Sequence, residues 1–237
     1  MGTMYPKIET LYERNQETHK LIEPLVLKNP TYDLVKKWVF SEKIDGTNIR
    51  VLWEPEHETF GDINGPNITK WPDHLRFADR TDNAKLDGYK SLMKYLNETF
   101  TAEKLRSTFT GPVVLYGEGY GAGINKGGGY RTDQSFILFD VFVLDNENPF
   151  RGWWLNDEDM RAVAQGLNID AVPFICYTEL ELATEMVRTG FKSRLGTADA
   201  EGLVGRPAET LYDKRGRRII IKIKTKDFEK PEVENVR

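Results

Sequence analysis

Lysines at two distant places in the chain have neighbours that suit phosphate chemistry. In "SEKIDGTNIRVLWEPE", Lys43 stands two positions before Asp45 and shortly before an apolar, β-rich run. The Asp45-Gly46 pair is typical of a tight turn, beside which a solvated lysine needs no function. A Lys-x-Asp-Gly sequence also arises by chance in roughly one chain in twenty of this length. The motif therefore gains meaning only from the residues that accompany it.

The second pair of lysines lies in "IIIKIK", near the C-terminal end of the sequence. The two-residue period of a β-strand places Lys222 and Lys224 on one face. Ile219, Ile221 and Ile223 then share the opposite face. Two lysines on an otherwise apolar strand either belong to a solvated edge strand or face a pocket that holds a polyanion such as a triphosphate.

Two glutamates lie at the ends of short apolar runs and are candidates for ligand binding. Glu118 follows a buried strand in "GPVVLYGEGYGAG", where the adjacent glycines let a ligand approach the backbone. The same glycine-rich segment lacks the helix that a dinucleotide fingerprint must open, and its lysine lacks the neighbours of a P-loop. Glu201 opens "EGLVGRP". Each carboxylate either binds a ligand or caps a turn.

An aromatic residue in "FILFDVF" is a candidate for nucleobase stacking. Strand alternation places Phe136, Leu138 and Asp140 on one face of this segment. Phe139 and Val141 then share the other face. Aromatic residues in strands usually belong to the core, but one that faces a pocket can stack on a base.

Composition excludes several classes of protein. No window approaches the roughly 18 apolar residues of a membrane helix, and the N-terminus has no apolar signal core. A single cysteine, Cys176, excludes internal disulfides and cysteine metal clusters, and the three histidines lie in no motif. We therefore expect a cytoplasmic protein. The net charge of −4 disfavours nonspecific coating of nucleic acid, but residues 213–226 carry seven basic side chains against one aspartate.

The order of the predicted elements favours an α+β fold with antiparallel sheets and flanking helices. Strands outnumber helices and do not alternate with them regularly, so we expect one domain over residues 1–237. Apolar alternation predicts a strand in which Ile49, Val51 and Trp53 share a face. Helical spacing predicts one helix or two over residues 86–108. We also expect residues 7–20 to be wholly or partly helical, and residues 156–167 and 178–190 to form surface helices.

Taken in order from about residue 40 to 228, these segments resemble the covalent nucleotidyltransferase superfamily of ligases and capping enzymes. The closest resemblance is to the RNA ligase 2 branch of the ATP-dependent polynucleotide ligases. The family's nucleophile motif corresponds to "EKIDGTN", where Glu42, Lys43 and Asn48 match. The family's arginine after the second strand corresponds to Arg80 in "FADRTDN". The other matched positions are Glu118 in "YGEGYGAGI", Phe139 in "FILFDVF", Glu201 and Arg206 in "EGLVGRP", and Lys222 and Lys224 in "IKIK".

The resemblance implies a three-step ligation with ATP as substrate and Mg²⁺ or Mn²⁺ as cofactor. Lys43 Nζ would attack the α-phosphate of ATP to give a lysyl–AMP phosphoramidate, with Lys222, Lys224 and Arg80 completing the catalytic set. AMP would pass to a 5′-phosphate end, and a 3′-hydroxyl would then displace it. The implied nucleotide-binding set is Glu42, Lys43, Asn48, Arg80, Glu118 (ribose hydroxyls), Phe139 (adenine), Glu201 (also the metal), Arg206, Lys222 and Lys224.

A lysine with an ordinary pKa near 10.4 must lose its proton to become a nucleophile. Neighbouring lysines and a bound cation favour the neutral amine, and they also neutralise charge on the transferred phosphate. Such chemistry explains why cations would surround the Lys-x-Asp-Gly motif.

The expected partners are RNA ends, in nicked duplexes or in single strands, and DNA is a second candidate. The expected role is RNA repair, and a phage could encode such a protein. The alternatives are a minimal DNA ligase, a capping-type guanylyltransferase, or a non-catalytic module that binds nucleotides or RNA ends. The presence of all five charged residues at Lys43, Glu118, Glu201, Lys222 and Lys224 argues against the last of these. Because few residues follow Phe228, we expect no separate C-terminal oligonucleotide-binding domain.

Overall fold

The computed structural model describes residues 4–60, 68–80, 86–125, 127–145 and 151–228. The chain divides into two compact units, each built from separate stretches of sequence. The first unit comprises Met1–Tyr5 and Asp45–Ala171, and the second comprises Pro6–Ile44 and Val172–Arg237. The assignment of the whole chain to a single nucleotidyltransferase domain stays a prediction.

The described residues form the following regular elements. The strands are β1 (Glu9–Thr10), β2 (Trp38–Glu42), β3 (Thr47–Glu54), β4 (His57–Phe60), β5 (Ile68–Trp71), β6 (His74–Ala78), β7 (Val113–Gly121), β8 (Gln134–Leu144), β9 (Gly152–Trp154), β10 (Asp170–Ala171), β11 (Phe174–Thr178), β12 (Gly202–Pro207) and β13 (Ile221–Lys224). The α-helices are α1 (Lys90–Thr99), α2 (Ala102–Thr108), α3 (Asp157–Gly166) and α4 (Leu180–Thr189). None of these helices is long and apolar enough to cross a membrane.

The first unit is built on a sheet with the strand order β10-β8-β7-β3-β6, to which β9 adds beside β8. Its pairings are antiparallel except for the short pairing of β10 with β8, and β4 and β5 form a separate hairpin. As predicted, Ile49, Val51 and Trp53 share a face of β3, where they are buried in one core with Leu92 of α1 and Met160 of α3. The period-two pattern therefore determines which side of this sheet the helices cover.

The second unit is built on a sheet with the strand order β1-β13-β12-β2-β11, antiparallel except for the pairing of β1 with β13. Phe40 of β2, Leu203 of β12 and Ile221 of β13 form its core together with Val187 of α4. These two sheets and their helices confirm the predicted α+β fold with antiparallel sheets.

The prediction of one helix is wrong. The segment 7–20 forms β1 and two isolated bridges, Tyr12 with Leu27 and Arg14 with Leu21. The edge of β13 offers unpaired backbone groups, which Glu9–Thr10 satisfies by pairing with it. Leu11 is then buried in the second unit's core. The other three predictions are confirmed by α1 with α2, by α3 and by α4.

A β-bulge in β8 changes the predicted alternation of its side chains. The pairing of β7 with β8 skips Phe139, which is the extra residue on its strand. Leu138 before the bulge and Val141 after it both pack in the first unit's core. The prediction that Asp140 shares a face with Leu138 is therefore wrong, because the inserted residue reverses the alternation beyond it.

Candidate functional site

Three predicted site residues are in direct contact within the second unit. Lys43 Nζ donates a hydrogen bond to Glu201 Oε2 at 2.5 Å, and Lys224 Nζ lies 3.1 Å from Glu201 Oε1. Each of the three side chains is about one-fifth exposed, so solvent can still reach the group. We call these residues the lysine–glutamate cluster. Its single carboxylate bridges two ammonium groups.

Strand pairing places the backbone of this cluster. Lys43 follows β2, and its N–H donates to Gly202 O at 2.9 Å, while Thr225 N–H donates to Glu201 O at 2.9 Å. Gly202 has a φ of +147°, and a Cβ there would lie 2.0 Å from Ile223 O. Only glycine therefore fits beside β13 at this point, directly after the bridging glutamate.

The predicted faces of β13 are confirmed. Ile221 and Ile223 are buried in the second unit's core, whereas Lys222 and Lys224 are half-buried on the opposite face. Lys222 pairs with Val204 of β12, two residues before the half-buried Arg206. The strand period therefore places Arg206 on the same face of the sheet as the two lysines.

Glu42 lies deeper in the second unit than its neighbour Lys43. Its side chain is 1% exposed, and its Oε2 accepts a hydrogen bond from Arg194 N–H at 2.9 Å. Its Oε1 is buried and has no hydrogen-bond partner among the described residues. Its role in nucleotide binding stays a prediction, and the contact with Arg194 was not foreseen because no motif includes that arginine.

In the first unit, two predicted residues lie side by side on neighbouring strands. Asn48 of β3 pairs with Glu118 of β7, and both side chains are half-buried. The adjacent residue Ile49 packs in the first unit's core, so the strand period places Asn48 on the opposite face. Asn48 Oδ1 is buried, and the described part of the chain supplies no hydrogen-bond donor for it. We call Asn48 and Glu118 the polar pair.

The Asp45-Gly46 turn of the opening motif is held by the glycine-rich segment. Asn125 Nδ2 donates to Gly46 O at 2.7 Å and to Asp45 Oδ1 at 3.2 Å, and Asp45 N–H donates to Tyr130 Oη at 3.2 Å. A Cβ at Gly46 would lie 2.4 Å from Gly119 O, so close approach to β7 requires this glycine. Neither Asn125 nor Tyr130 was predicted, although both lie in the segment "GINKGGGY" that drew attention for its glycines.

Phe139 belongs to an aromatic group that includes a residue from the N-terminus. The Tyr5 ring contacts Phe139 edge-on at 5.0 Å between centroids. The rings of Tyr116 and Trp154 lie 5.1 and 5.5 Å from the Tyr5 ring. The buried Tyr5 hydroxyl donates to Asp140 Oδ2 at 2.8 Å. Nothing in the sequence predicts this contact, because 135 residues separate Tyr5 from Asp140.

Arg80 lies in the first unit, exposed in a turn two residues beyond the end of β6. Its catalytic and nucleotide-binding roles stay predictions.

The described residues contain no group of three or more histidines, cysteines and acids that could hold a metal ion. Glu201 offers one carboxylate, and both of its oxygens contact lysines. Mg²⁺ commonly keeps several waters and binds one or two carboxylates together with substrate phosphates. One carboxylate therefore fits a metal that is held mainly by phosphate and water.

Comparisons with known proteins show the family of this chain and its fold. A sequence search of curated proteins gave no match. Among solved structures, a variant of the Naegleria gruberi RNA ligase with AMP and Mn has a TM-score of 0.59 at 17% identity, over 94% of this chain and 60% of that one. Another variant, with ATP and Mn, has a TM-score of 0.58 at 16% identity, over 94% and 62%. The same ligase with PPi has a TM-score of 0.54 at 16% identity, over 94% and 62%.

At these identities the structural likeness shows a shared fold, and this chain spans about three-fifths of the length of those structures. The RNA ligase family model matches residues 36–224, most of the sequence. That range includes the lysine–glutamate cluster, the polar pair and Phe139. The chain therefore belongs to the RNA ligase family.

Proposed function

We propose that the protein is an ATP-dependent RNA ligase that joins a 3′-hydroxyl to a 5′-phosphate through a covalent lysyl–AMP intermediate. The observation that carries this proposal is the contact of Glu201 with both Lys43 and Lys224. Family membership supports it, as do the related ligase structures that hold ATP, AMP or PPi. The proposed setting is RNA repair.

In the first step, the lone pair of Lys43 Nζ attacks the α-phosphate of ATP. A nitrogen–phosphorus bond forms, the bond to the β-phosphate oxygen breaks, and pyrophosphate leaves. In the structure Lys43 donates a hydrogen bond to Glu201, so it must leave the carboxylate and release a proton to solvent before its nitrogen has a lone pair for the attack. Lys224, on the other oxygen of Glu201, retains the carboxylate when Lys43 departs.

The remaining predicted residues bind the nucleotide. In this proposal the polar pair holds the ribose hydroxyls, and a hydroxyl donor satisfies Asn48 Oδ1. Phe139 stacks on the adenine. Lys222 and Arg206 contact the phosphates, where their charge stabilises the negative charge that develops during transfer.

The proposed metal is Mg²⁺ or Mn²⁺, with Glu201 as its one protein ligand. When bound, it neutralises charge on the phosphates of ATP. Manganese accompanies the nucleotide in both of the ligase variants described above.

In the two later steps, the AMP passes from Lys43 to the 5′-phosphate of an RNA end. The 3′-hydroxyl of a second end then attacks that phosphate and releases AMP. Each step exchanges one bond to phosphorus for another, so the same cations can serve all three.

Covalent labelling tests the first step. The protein is incubated with Mg²⁺ and α-labelled ATP, denatured, and assayed for label on the chain. We expect label on the unaltered protein and none on Lys43→Ala. Lys226→Ala is a matched control, because this exposed lysine lies two residues after Lys224 and outside the cluster. The mechanism fails if Lys43→Ala retains label or if the unaltered protein takes none.

Sealing assays test the choice of nucleic acid. Nicked RNA duplex, nicked DNA duplex and single-stranded RNA are compared under the same conditions. We expect at least one RNA substrate to be sealed faster than the DNA. Equal or faster sealing of DNA would overturn the RNA assignment and leave the lysyl–AMP step intact.

A further inference from the structure

A short basic hairpin precedes β13 in the second unit. Tyr212 and Arg218 form an antiparallel bridge, and Asp213 N–H donates to Arg217 O at 2.8 Å. Gly216 closes the turn with a φ of +73°, in the left-handed region that favours glycine. Gly216 N–H donates to Asp213 O at 3.0 Å. We call residues 211–218 the basic hairpin.

Asp213 fixes the shape of this turn from within. Its Oδ1 accepts hydrogen bonds from the backbone N–H groups of Arg215 and Arg217, at 2.8 and 2.9 Å. Its Oδ2 accepts from Arg217 Nε at 2.8 Å. These hydrogen bonds lower the pKa of Asp213 from its usual range, and the backbone bond from Arg217 has the largest effect. Both carboxylate oxygens of Asp213 are therefore bonded to groups of the turn itself.

Two cations of the basic hairpin remain available to a ligand. Lys214 and Arg215 are exposed, and neither has a hydrogen-bonded or ion-paired side chain among the described residues. Their positions are nevertheless restricted, because the backbone on both sides is held by Asp213. A ligand that pairs with them has to order only these two side chains, because the turn is already formed.

An exposed aromatic residue lies next to these cations. The Tyr212 side chain is 56% exposed, and the neighbouring Leu211 is 40% exposed. A ring that is exposed in this way can stack on a base that arrives from solvent. An exposed ring beside lysine and arginine is the combination with which proteins bind single-stranded nucleic acid.

We propose that the basic hairpin binds the RNA strand, with Tyr212 stacking on a base and Lys214 and Arg215 contacting backbone phosphates. The proposal rests on the proposed ligase function and names a second contact for its substrate. Arg215 and Lys222 are seven residues apart, so at about 3.3 Å per extended residue they are separated by at most roughly 20 Å. A polynucleotide strand is long enough to contact both the hairpin tip and the lysines of β13.

Salt-dependent binding tests the two cations. Fluorescence anisotropy measures the Kd of a 5′-phosphorylated single-stranded RNA over a range of salt concentrations. We expect the doubly substituted Lys214→Ala/Arg215→Ala protein to show a slope of log K against log salt that is smaller by about 1.4, or about 0.7 per lost phosphate contact. The matched control is Lys90→Ala/Lys94→Ala, which removes two exposed lysines from α1. Its slope should match that of the unaltered protein.

Substitution of the tyrosine tests the stacking contact separately. We expect Tyr212→Ala to weaken RNA binding about 5- to 150-fold without changing the salt slope, because the ring is uncharged. Tyr212→Phe should restore the affinity. The proposal is overturned if Tyr212→Ala binds RNA as tightly as the unaltered protein, or if the hairpin and control double variants have the same slope.

The proposal for the basic hairpin and the proposal for the ligase reaction can be refuted independently of each other. Labelling of Lys43 by ATP without RNA should be the same in the hairpin variants and the unaltered protein, since they change only exposed side chains. Absence of label from every protein would refute the ligase mechanism, while RNA binding would still report on the hairpin. Thermal unfolding confirms that the variants fold, and Lys214→Gln/Arg215→Gln replaces the alanine pair if that variant does not.

Discussion

The lysine–glutamate cluster of the second unit and the polar and aromatic residues of the first unit are built in different ways. The cluster lies at the ends of three adjacent strands, β13, β12 and β2, and its opposite charges satisfy one another. In the first unit, Phe139 is the extra residue of a bulge and contacts Tyr5 from the chain's N-terminus. Regularly paired strands thus place charges where local alternation predicts, whereas a bulged strand depends on distant packing.

Substituting the glycine behind the cluster should have the largest effect. Gly202→Ala puts a Cβ 2.0 Å from Ile223 O and forces β12 away from β13. We expect a loss of about 3 kcal/mol or more in the free energy of unfolding, measured with urea, together with loss of ATP labelling. Gly190→Ala is the control, because its φ is +77° but nothing lies within 4 Å of the added Cβ. It should cost only about 1–2 kcal/mol. Equal losses would show that contact with β13 does not matter.

Removing the charge of the bridging carboxylate should have the next largest effect. Glu201→Gln keeps the shape of the side chain but leaves Lys43 and Lys224 without their shared counter-ion. We expect unfolding to become easier by about 1.5–3 kcal/mol, the range for hydrogen bonds to charged groups. Asp199→Asn is the control, because its pair with Lys192 is mostly exposed and is worth at most about 1 kcal/mol. If the two substitutions cost the same, the cluster is no stronger than a surface ion pair.

In the first unit, Tyr5→Phe should have a smaller effect. It removes the hydroxyl that donates to Asp140 but retains the ring contact with Phe139. We expect a loss of about 1–2 kcal/mol on urea unfolding, since one buried hydrogen bond is lost and the packing stays. Tyr177→Phe, at a tyrosine that is 67% exposed, should change stability by less than about 0.5 kcal/mol. No difference between them would mean that the N-terminal contact is not formed in solution.

The smallest effect should come, at alkaline pH, from one half-buried and one buried tyrosine. Burial raises the pKa of Tyr12 in the second unit and of Tyr120 in the first above the usual value. Their contribution to stability is therefore complete below the unfolded-state pKa of about 10 and is lost as the pH rises through the folded-state values. Urea unfolding from pH 8 upward should show this decline, and Tyr12→Phe and Tyr120→Phe should each reduce it. An unchanged decline in both variants would assign it to other groups.

Much of the fold could be predicted because its elements have regular local patterns. Alternation in β3 and β13 identified their core faces, and helical spacing identified α1 and α2. The segment 7–20 was mispredicted because its partner is the edge of β13, where Glu9 pairs with Ile221, 212 residues further along the chain. The bulge at Phe139 was missed because an extra residue leaves no mark in a run of apolar side chains.

The candidate site shows the same division. Short motifs singled out Lys43, Glu201 and Lys224, which the second unit joins within hydrogen-bonding distance. The residues that support the predicted ones were not foreseen, among them Asn125 beside the Asp45-Gly46 turn and Arg194 beside Glu42. Amide and backbone donors of this kind belong to no motif, because any loop of suitable shape can supply them.

The order of residues alone establishes the family, the types of charged groups and the face of β13 that carries its lysines. It does not establish that Lys43 meets Glu201 across 158 residues or that Tyr5 meets Asp140 across 135. Those contacts depend on which strands pair and in what register, and hydrophobic burial over a whole sheet decides that pairing. Local sequence specifies the side chains, and only the packed sheets bring them together.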